Sequence, residues 1–507
     1  METLIKAFES IIPKDCIISD VNKMANYNTD TSTFKRQIKL IIEPENHQQI
    51  QAVVKLANQL KISLYPISSG HNWGYGTSLP TFSGGVVLSL KKLKKISIDE
   101  ELGLLTIESG VTQQELYDFF SKNNYPFLVP TTGAGPNCSI VGNALERGYG
   151  ITPITDHFAS VMGINAILPT GEIYKSPLLE NNFTPILKWG LGPYLDGLFA
   201  QSNIGIVTEM TLLVERKPET INTFICKVKD KQFTAAIPII RKLLIEARGN
   251  IAGINLMHKK RVSMMSEDYF DCSKKKYSDW ILVGTIYGTK QHAEATKKQI
   301  KYSLKQITKK ILFLSVKKAR FISRCSKLLP SKLLPKLKTE MYQLKDIIGL
   351  FDGIPSEVSL RLSYYKNREN EHSYGLDPAL DGCGLLWYSP IIPIKNDYVE
   401  SYIKFVTETC VKYNIDPALT FTSMSTIAFD CTLPILYRTS DLIEEEKAIS
   451  CYKELLTEGR KLGFTPYRLN ANLMDTTLIR NKTYHHLFQM IRRTIDTNNI
   501  IAPGRYE

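Results

Sequence analysis

The chain has no apolar run approaching the ~18–20 residues that a membrane-spanning helix needs. Its start, Met-Glu-Thr-Leu-Ile-Lys, has no basic segment leading into an apolar one, so no signal peptide is expected. Nine cysteines are scattered through 507 residues and none forms a CxxC pair. A chain of this length needs no disulfide framework, and a reducing, cytoplasmic setting is the simplest expectation. No Walker A sequence occurs. Gly133 and Gly135 start a GxG pair, but no third glycine follows at the dinucleotide spacing, which argues against a nicotinamide-type Rossmann fingerprint. His485 and His486 would point about 100° apart on a helix and have no ligand set around them, so no metal is expected.

Acidic residues are in deficit: the formal charge is +13. Such a balance suggests attraction to anionic partners and says nothing about fold; it is also what a lysine-rich source organism would produce. At ~150 residues per domain, two or three domains and a large core are expected.

The chain is organised around Tyr65 to Pro80. A strand-like run enters this stretch, Gly70, Gly74 and Gly76 punctuate it, and the apolar run Gly85 to Leu90 leaves it. Glycines let backbone amides turn inward toward an anion, and Ser68, Ser69 and Asn72 add donors. The stretch reads either as a pyrophosphate cradle with His71 set inside it or as a plain turn between strands.

Upstream, Pro44-Glu45-Asn46 starts an amphipathic helix with Ile50, Val53, Val54, Ala57 and Leu60 on one face. A strand from Ile62 to Ile67 follows, so the glycine loop sits at a strand's carboxyl end, where open α/β sheets place ligands. Ile96–Ile98 and Leu104–Ile107 form a predicted hairpin. Thr112 caps a helix carrying Leu116, Tyr117 and Phe120. A second loop rich in glycine and small polar residues spans Leu128 to Asn143. Ile164–Leu168 and Ile173–Tyr174 form another hairpin, and a strand follows Gln201-Ser202-Asn203. After about Lys217 strands alternate with longer helices: strands at Thr223–Val228, Trp280–Tyr287 and Leu385–Ile391, helices at Thr234–Ala247 and Asp397–Tyr413. A long helix is expected from about Arg480 to Asn498. Between Lys301 and Lys338 no acidic residue occurs; this stretch is either a surface for an acidic partner or membrane face, or a solvated helix and loop.

These segments form ordered blocks: Pro66 to Gly76, Val141 to Gly148, Thr152-Pro153 with Asp156-His157, Asp196 to Thr208, Ser389-Pro390, Tyr467-Arg468 and Ile501 to Arg505. The ordered set, spanning nearly the whole chain, resembles the FAD-linked oxidoreductases of the vanillyl-alcohol oxidase and p-cresol methylhydroxylase type. The resemblance implies an α+β fold: a two-lobed FAD-binding domain over 1–217, a cap with a large antiparallel sheet flanked by helices over 218–459, and a segment over 460–507 completing the FAD domain. It implies cofactor contacts at Pro66, Ile67, Ser68, Ser69, Gly70, His71, Asn72 and Gly76 in the first loop. In and after the second loop it implies Pro130, Thr131, Gly135, Gly142, Asn143, Glu146, Gly148, Gly150 and His157, and later Gly205, Ile206, Val207 and Arg505.

His71 stands where some branches bond a histidine covalently to the flavin; the other reading is a histidine that hydrogen-bonds a phosphate. The cap position that carries the covalent histidine elsewhere falls near Leu385, which cannot form the bond. Cys138 lies a few residues from the place of a second link. Tyr75, Tyr467 and Arg468 match the positions that bind a phenol as its phenolate, where two hydroxyls and a fixed cation stabilise an oxyanion; the other reading is a structural ion pair and packing. Val129-Pro130 is followed by Thr131 and Thr132 where vanillyl-alcohol oxidase has an aspartate, so either the substrate needs no such acid or another group supplies it. The expected function is FAD-dependent hydride removal from an alcohol or benzylic carbon of a small molecule, a para-substituted phenol or aromatic alcohol by preference, with oxygen or a redox protein as acceptor. A sugar or secondary-metabolite alcohol oxidase is the same-class rival. A basic nucleic-acid- or membrane-surface-binding protein is the rival of another class, although no nucleic-acid partner is expected; a homodimer is open to the chain.

Overall fold

The computed structural model describes residues 2–265, 279–327, 345–474 and 482–507. The amphipathic helix predicted after Pro44 runs over His47–Leu60, capped by Asn46, whose side chain accepts from the Gln49 amide. Ile50, Val53, Val54 and Ala57 are buried against a small sheet. That sheet contains β1 (Ile17–Ile18), β2 (Ile38–Ile42), β3 (Leu64–Ile67) and β4 (Gly85–Ser89) in the order β1-β2-β4-β3. The last three run parallel, so the glycine loop leaves the carboxyl end of β3. The strand begins at Leu64 rather than Ile62 because the helix ends in a left-handed turn: Lys61 has φ 52° and the Ile62 amide bonds back to Ala57. The free edge of β3 is taken by the C-terminal segment, with Leu64 donating to the Ile500 carbonyl and Ala502 donating to Leu64.

A second, antiparallel sheet follows. It holds β5 (Ile96–Asp99), β6 (Leu104–Glu108), β7 (Val161–Ile167), β8 (Ile173–Lys175) and β9 (Ile206–Leu213), ordered β5-β6-β9-β7-β8. Both predicted hairpins are present in it. The Gln113–Lys122 helix is held by a reciprocal Thr112–Glu115 capping box and packs with the short Ile140–Leu145 helix on this sheet's apolar face.

The third sheet is antiparallel and has eight strands. They are β10 (Thr220–Lys229), β11 (Ile251–His258), β12 (Asp279–Gly288), β13 (Ile311–Leu314), β14 (Cys383–Tyr388), β15 (Ile391–Pro393), β16 (Thr420–Ser423) and β17 (Ala428–Arg438). Their main order is β13-β10-β12-β11-β16-β17-β14, with β15 also paired to β17. Alternation decides the two faces. Ile254, Leu256, Leu282, Phe421, Phe429, Cys431 and Leu433 point into a core shared with the helices Phe233–Glu246, Asn396–Lys412 and Leu442–Lys461. Asn255, Met257, Val283, Thr420, Thr422, Asp430 and Thr432 face the other way, toward a cavity. The architecture is the expected α+β fold.

In the basic stretch, helix Lys290–Leu304, strand β13 and helix Val316–Lys327 are described. Its two Leu-Leu-Pro near-repeats lie outside the described residues. So does Arg480, and the last long helix is described over Lys482–Ile495. Among the described residues, seven cysteines are buried and free of disulfides.

Candidate active site

Between the three sheets lies a cavity of about 490 Å³, in the range of small-molecule sites. Its floor is the first glycine loop. Gly70 has φ +75°, a left-handed conformation that suits glycine. Through this turn the backbone N–H groups of Ser69, Gly70, His71 and Asn72 donate to no atom among the described residues. Four neighbouring free amides beside a cavity form an anion cradle. The second loop closes against it: the Ser139 amide donates to Ser69 Oγ at 3.1 Å, and a Cβ on Gly142 would come within 3.3 Å of Ser68 Oγ.

The Tyr75, Tyr467 and Arg468 side chains come together on one wall. The Arg468 guanidinium stacks 4.3 Å above the Tyr75 ring. It donates to Asn72 Oδ1 and holds Glu146 Oε2 at 3.3 Å from Nε. Arg505 pairs with Glu146 Oε1 and donates to the Tyr65 hydroxyl at 2.9 Å, and the Tyr506 hydroxyl donates to Glu146 at 2.8 Å. Burial pushes the Glu146 carboxyl up, but Arg505 and Arg468 outweigh it and hold it below the usual range. Two guanidinium groups against one carboxylate leave one positive charge for an incoming anion. The Tyr75 hydroxyl, 3.1 Å from Ser389 Oγ and beside Tyr467, is pushed up to about 12 by burial against the opposing pull of Arg468. Tyr467 stands edge-on to Tyr149, 5.4 Å between centroids.

His71 also lines the cavity. Its Nδ1 donates to the Asn137 carbonyl at 2.9 Å, an assignment that follows because a carbonyl only accepts. Cys138 turns its thiol onto the Ala134 carbonyl at 2.8 Å and is pushed up to about 12 by burial, so it stays a thiol.

Pro66, Ile67, Ser68, Gly142, Asn143, Gly148, Gly150, Gly205, Ile206, Val207 and Arg505 line the cavity too. Five residues expected at the cofactor stand off its wall. Gly76 lies against Ala471, where a Cβ would be 2.8 Å from the alanine Cβ. Pro130 and His157 line a separate small crevice under the second loop. Thr131 is buried and donates to the Leu350 carbonyl at 2.7 Å. Gly135, at φ +96°, faces Leu360, itself on the wall. His157 acts through a neighbour: its Nδ1 bonds Asn143 Oδ1 at 2.6 Å, and burial pulls its ring down to about 4, so it is neutral.

Two charged residues went unread in the sequence. Asp430 on β17 is 4% exposed, its Oδ1 has no partner, and burial raises its carboxyl to about 7 against the pull of Arg261. Arg261, on the short helix after β11, stacks 5.0 Å from the Trp387 ring and has a buried Nη1 without a partner. A signal for Asp430 exists, a lone carboxylate at an alternate position between Phe429 and Cys431. Arg261, in a lysine-rich turn, has none.

Residues 38–176 match the family model described as an FAD binding domain. The chain is 27% identical to the 1'-carboxy-chondrochloren decarboxylase of Chondromyces crocatus, covering 100% of this chain and 97% of that protein. It is 27% identical to the flavoprotein subunit of the hydroxylating 4-cresol dehydrogenase of Pseudomonas putida, covering 99% and 94%. Among solved structures it superposes on p-cresol methylhydroxylase with substrate bound at a TM-score of 0.86, 24% identity and 100% and 96% coverage. It superposes on the 4-ethylphenol oxidase of Gulosibacter chungangensis, in its isoeugenol complex, at 0.86, 20% identity and the same coverage. The chain is an FAD-dependent oxidoreductase with the α+β fold of the p-cresol methylhydroxylase flavoprotein.

Proposed function

We propose that this chain oxidises a para-substituted phenol at the carbon attached to its ring. The reading rests on Tyr75, Tyr467 and Arg468 converging on one wall of the cavity that also holds the amide cradle. The 4-cresol dehydrogenase and 4-ethylphenol oxidase likenesses support it. The residues present fit FAD. The free amides of Ser69 to Asn72 suit its pyrophosphate, and Gly142 lets the second loop pack close to Ser68 beside them. When bound, FAD supplies a two-electron acceptor for hydride.

Ser69, Gly70, His71 and Asn72 would hold the phosphates through their backbone amides. His71, anchored through Nδ1 at the Asn137 carbonyl, would be the residue that tethers the flavin covalently. Tyr75 and Tyr467 receive the phenol hydroxyl. Arg468 stabilises the phenolate, since the pair of arginines around Glu146 carries one unbalanced charge. Asp430 takes the place of the acid that Thr131 and Thr132 lack: it accepts the proton of a water that adds to the oxidised carbon. The FAD-binding domain spans 1–217 and 460–507 and the cap 218–459.

The purified protein is expected to be yellow, to keep flavin on the chain after acid precipitation, and to release it in His71→Ala. Bound 4-alkylphenols should shift to their phenolate spectrum in the wild type and not in Tyr75→Phe/Tyr467→Phe. Arg468→Lys, which keeps the charge and loses the planar fork, should slow flavin reduction by ~10²-fold or more. Flavin bleached by an aliphatic or sugar alcohol and by no phenol would overturn the phenol reading in favour of the alcohol-oxidase rival.

A further inference from the structure

The polar groups on the cap side of the cavity are in excess of what the phenol site uses. Cross-strand pairing brings Asn255 on β11 beside Thr422 on β16, and Thr422 beside Asp430 on β17. Two residues along each strand, on the same face, Met257, Thr420 and Thr432 stand in the same register. The Asn255–Thr422 pair is satisfied at 2.7 Å. Thr420 Oγ1, Asp430 Oδ1 and Arg261 Nη1 are each buried without a partner. Around them the lining is apolar, with Met257, Val283, Leu385 and Trp387.

Arg261 is the costly member. Arg261 is half-buried, with Nη1 shut off from solvent; a guanidinium with buried donors and a full charge is tolerated when an anion satisfies it. Among the described residues Arg261 makes no hydrogen bond and no salt bridge; its contact is the face of Trp387. Among the described residues Asp430 is the one charged group acting on it, and it does not close a pair with it. Burial lowers the guanidinium to about 9, the direction expected of a cation short of a counter-ion. Stacking on Trp387 fixes the plane of the fork, and a planar fork matches a carboxylate.

We infer that Arg261 is a carboxylate-binding residue, and that the substrate carries, besides the phenol hydroxyl held by Tyr75, Tyr467 and Arg468, a carboxylate on the side chain para to it, with Thr420 as a second donor. This deepens the phenol reading and rests on it for the identity of the other end of the molecule. Arg261 is then a specificity residue: it selects and orients an acid and takes no part in hydride removal.

The test is equilibrium binding to the dithionite-reduced holoenzyme, which cannot turn a ligand over. The probes are 3-(4-hydroxyphenyl)propanoate, its methyl ester, 4-propylphenol and 3-phenylpropanoate. Wild type should bind the phenolic acid about 10- to 100-fold more tightly than its ester, the scale of a hydrogen bond to a charged partner. Arg261→Gln should erase that margin and leave the ester within twofold, while Arg261→Lys keeps part of it. Equal affinity for acid and ester in the wild type, a comparison that needs no variant, overturns the inference. So does an Arg261→Gln that weakens acid and ester alike. If 3-phenylpropanoate binds as well as the phenolic acid and still depends on Arg261, the carboxylate site stands and the phenol reading falls. If the phenols bind with no preference for the acid, the phenol reading stands and this site falls; if no probe binds, both fall.

Discussion

At the scale of single residues, Asp430 gives the sharpest expectation. Its carboxyl is raised to about 7 because burial outweighs Arg261, against an ordinary 3.8. The protonated form is therefore favoured by folding. Its contribution to stability is fully present below 3.8 and is lost as pH rises through 7, on the order of 4 kcal/mol across that window. As a proton acceptor it must be ionised, so activity moves the other way and rises through pH 7. Asp430→Asn should flatten both curves. Urea unfolding at pH 4 and pH 8 should show the variant gaining on the wild type at the higher pH, and the pH dependence of turnover should lose its rise near 7. A variant that parallels the wild type in both would remove Asp430 from the chemistry. Tyr75, Tyr467 and Arg468 were legible in the sequence because their positions match a family's motifs. Asp430 and Arg261 were not, because their meaning comes from which face of β17 and which turn after β11 the fold presents to the cavity. That is set by packing against helices far away in the chain.

At the scale of elements, the two glycine-rich loops were readable because backbone geometry demands their glycines. Gly150 is a case of close approach. A Cβ there would sit 2.1 Å from His157 Nε2, and the ring cannot yield freely because its Nδ1 holds Asn143. Gly150→Ala should cost ~1–3 kcal/mol, the usual cost of overpacking, and loosen cofactor binding through the displaced Asn143. His157→Ala in the same chain should recover much of it, making the pair less costly than the sum of the single variants. Thermal melts of the four proteins close that cycle; strict additivity would mean the two do not touch. Helix starts were legible for the same local reason, through Asn46 and Thr112 and their caps. Strand β3 starts late, and Pro130, Thr131 and His157 sit behind the wall rather than on it, because a loop's sequence does not say which of its sides meets the ligand.

At the scale of the whole molecule, Glu146 ties together three parts of the chain that are remote in sequence. It follows the second loop, and it holds Arg468 from the stretch returning from the third sheet and Arg505 and Tyr506 from the C-terminus. The same C-terminal stretch completes the edge of β3, next to the glycine cradle. The closure was legible as a terminal Ala-Pro-Gly-Arg block; the carboxylate that receives it was read as a cofactor contact, because nothing local marks the two arginines as its partners. The side chains of Glu146, Arg468 and Arg505 are 13%, 9% and 15% exposed. Glu146→Gln therefore strands two buried guanidinium groups and should cost about 3–5 kcal/mol, the price of breaking a buried pair from one side. The sign with pH follows from the Glu146 carboxyl, which is held below its ordinary 4.5 by Arg505 and Arg468 against burial. Its stabilisation is present above 4.5 and is lost as pH falls through the lower folded value. Denaturant melts at pH 7 should show the full deficit of Glu146→Gln, and melts at progressively lower pH should show the wild type falling toward the variant. Because Arg505 and Ile501 share one short segment, the variant should also expose the C-terminus to protease before the rest of the chain unfolds. Equal midpoints at pH 7, with the C-terminus equally protected, would mean that closure rests on the β3 edge alone.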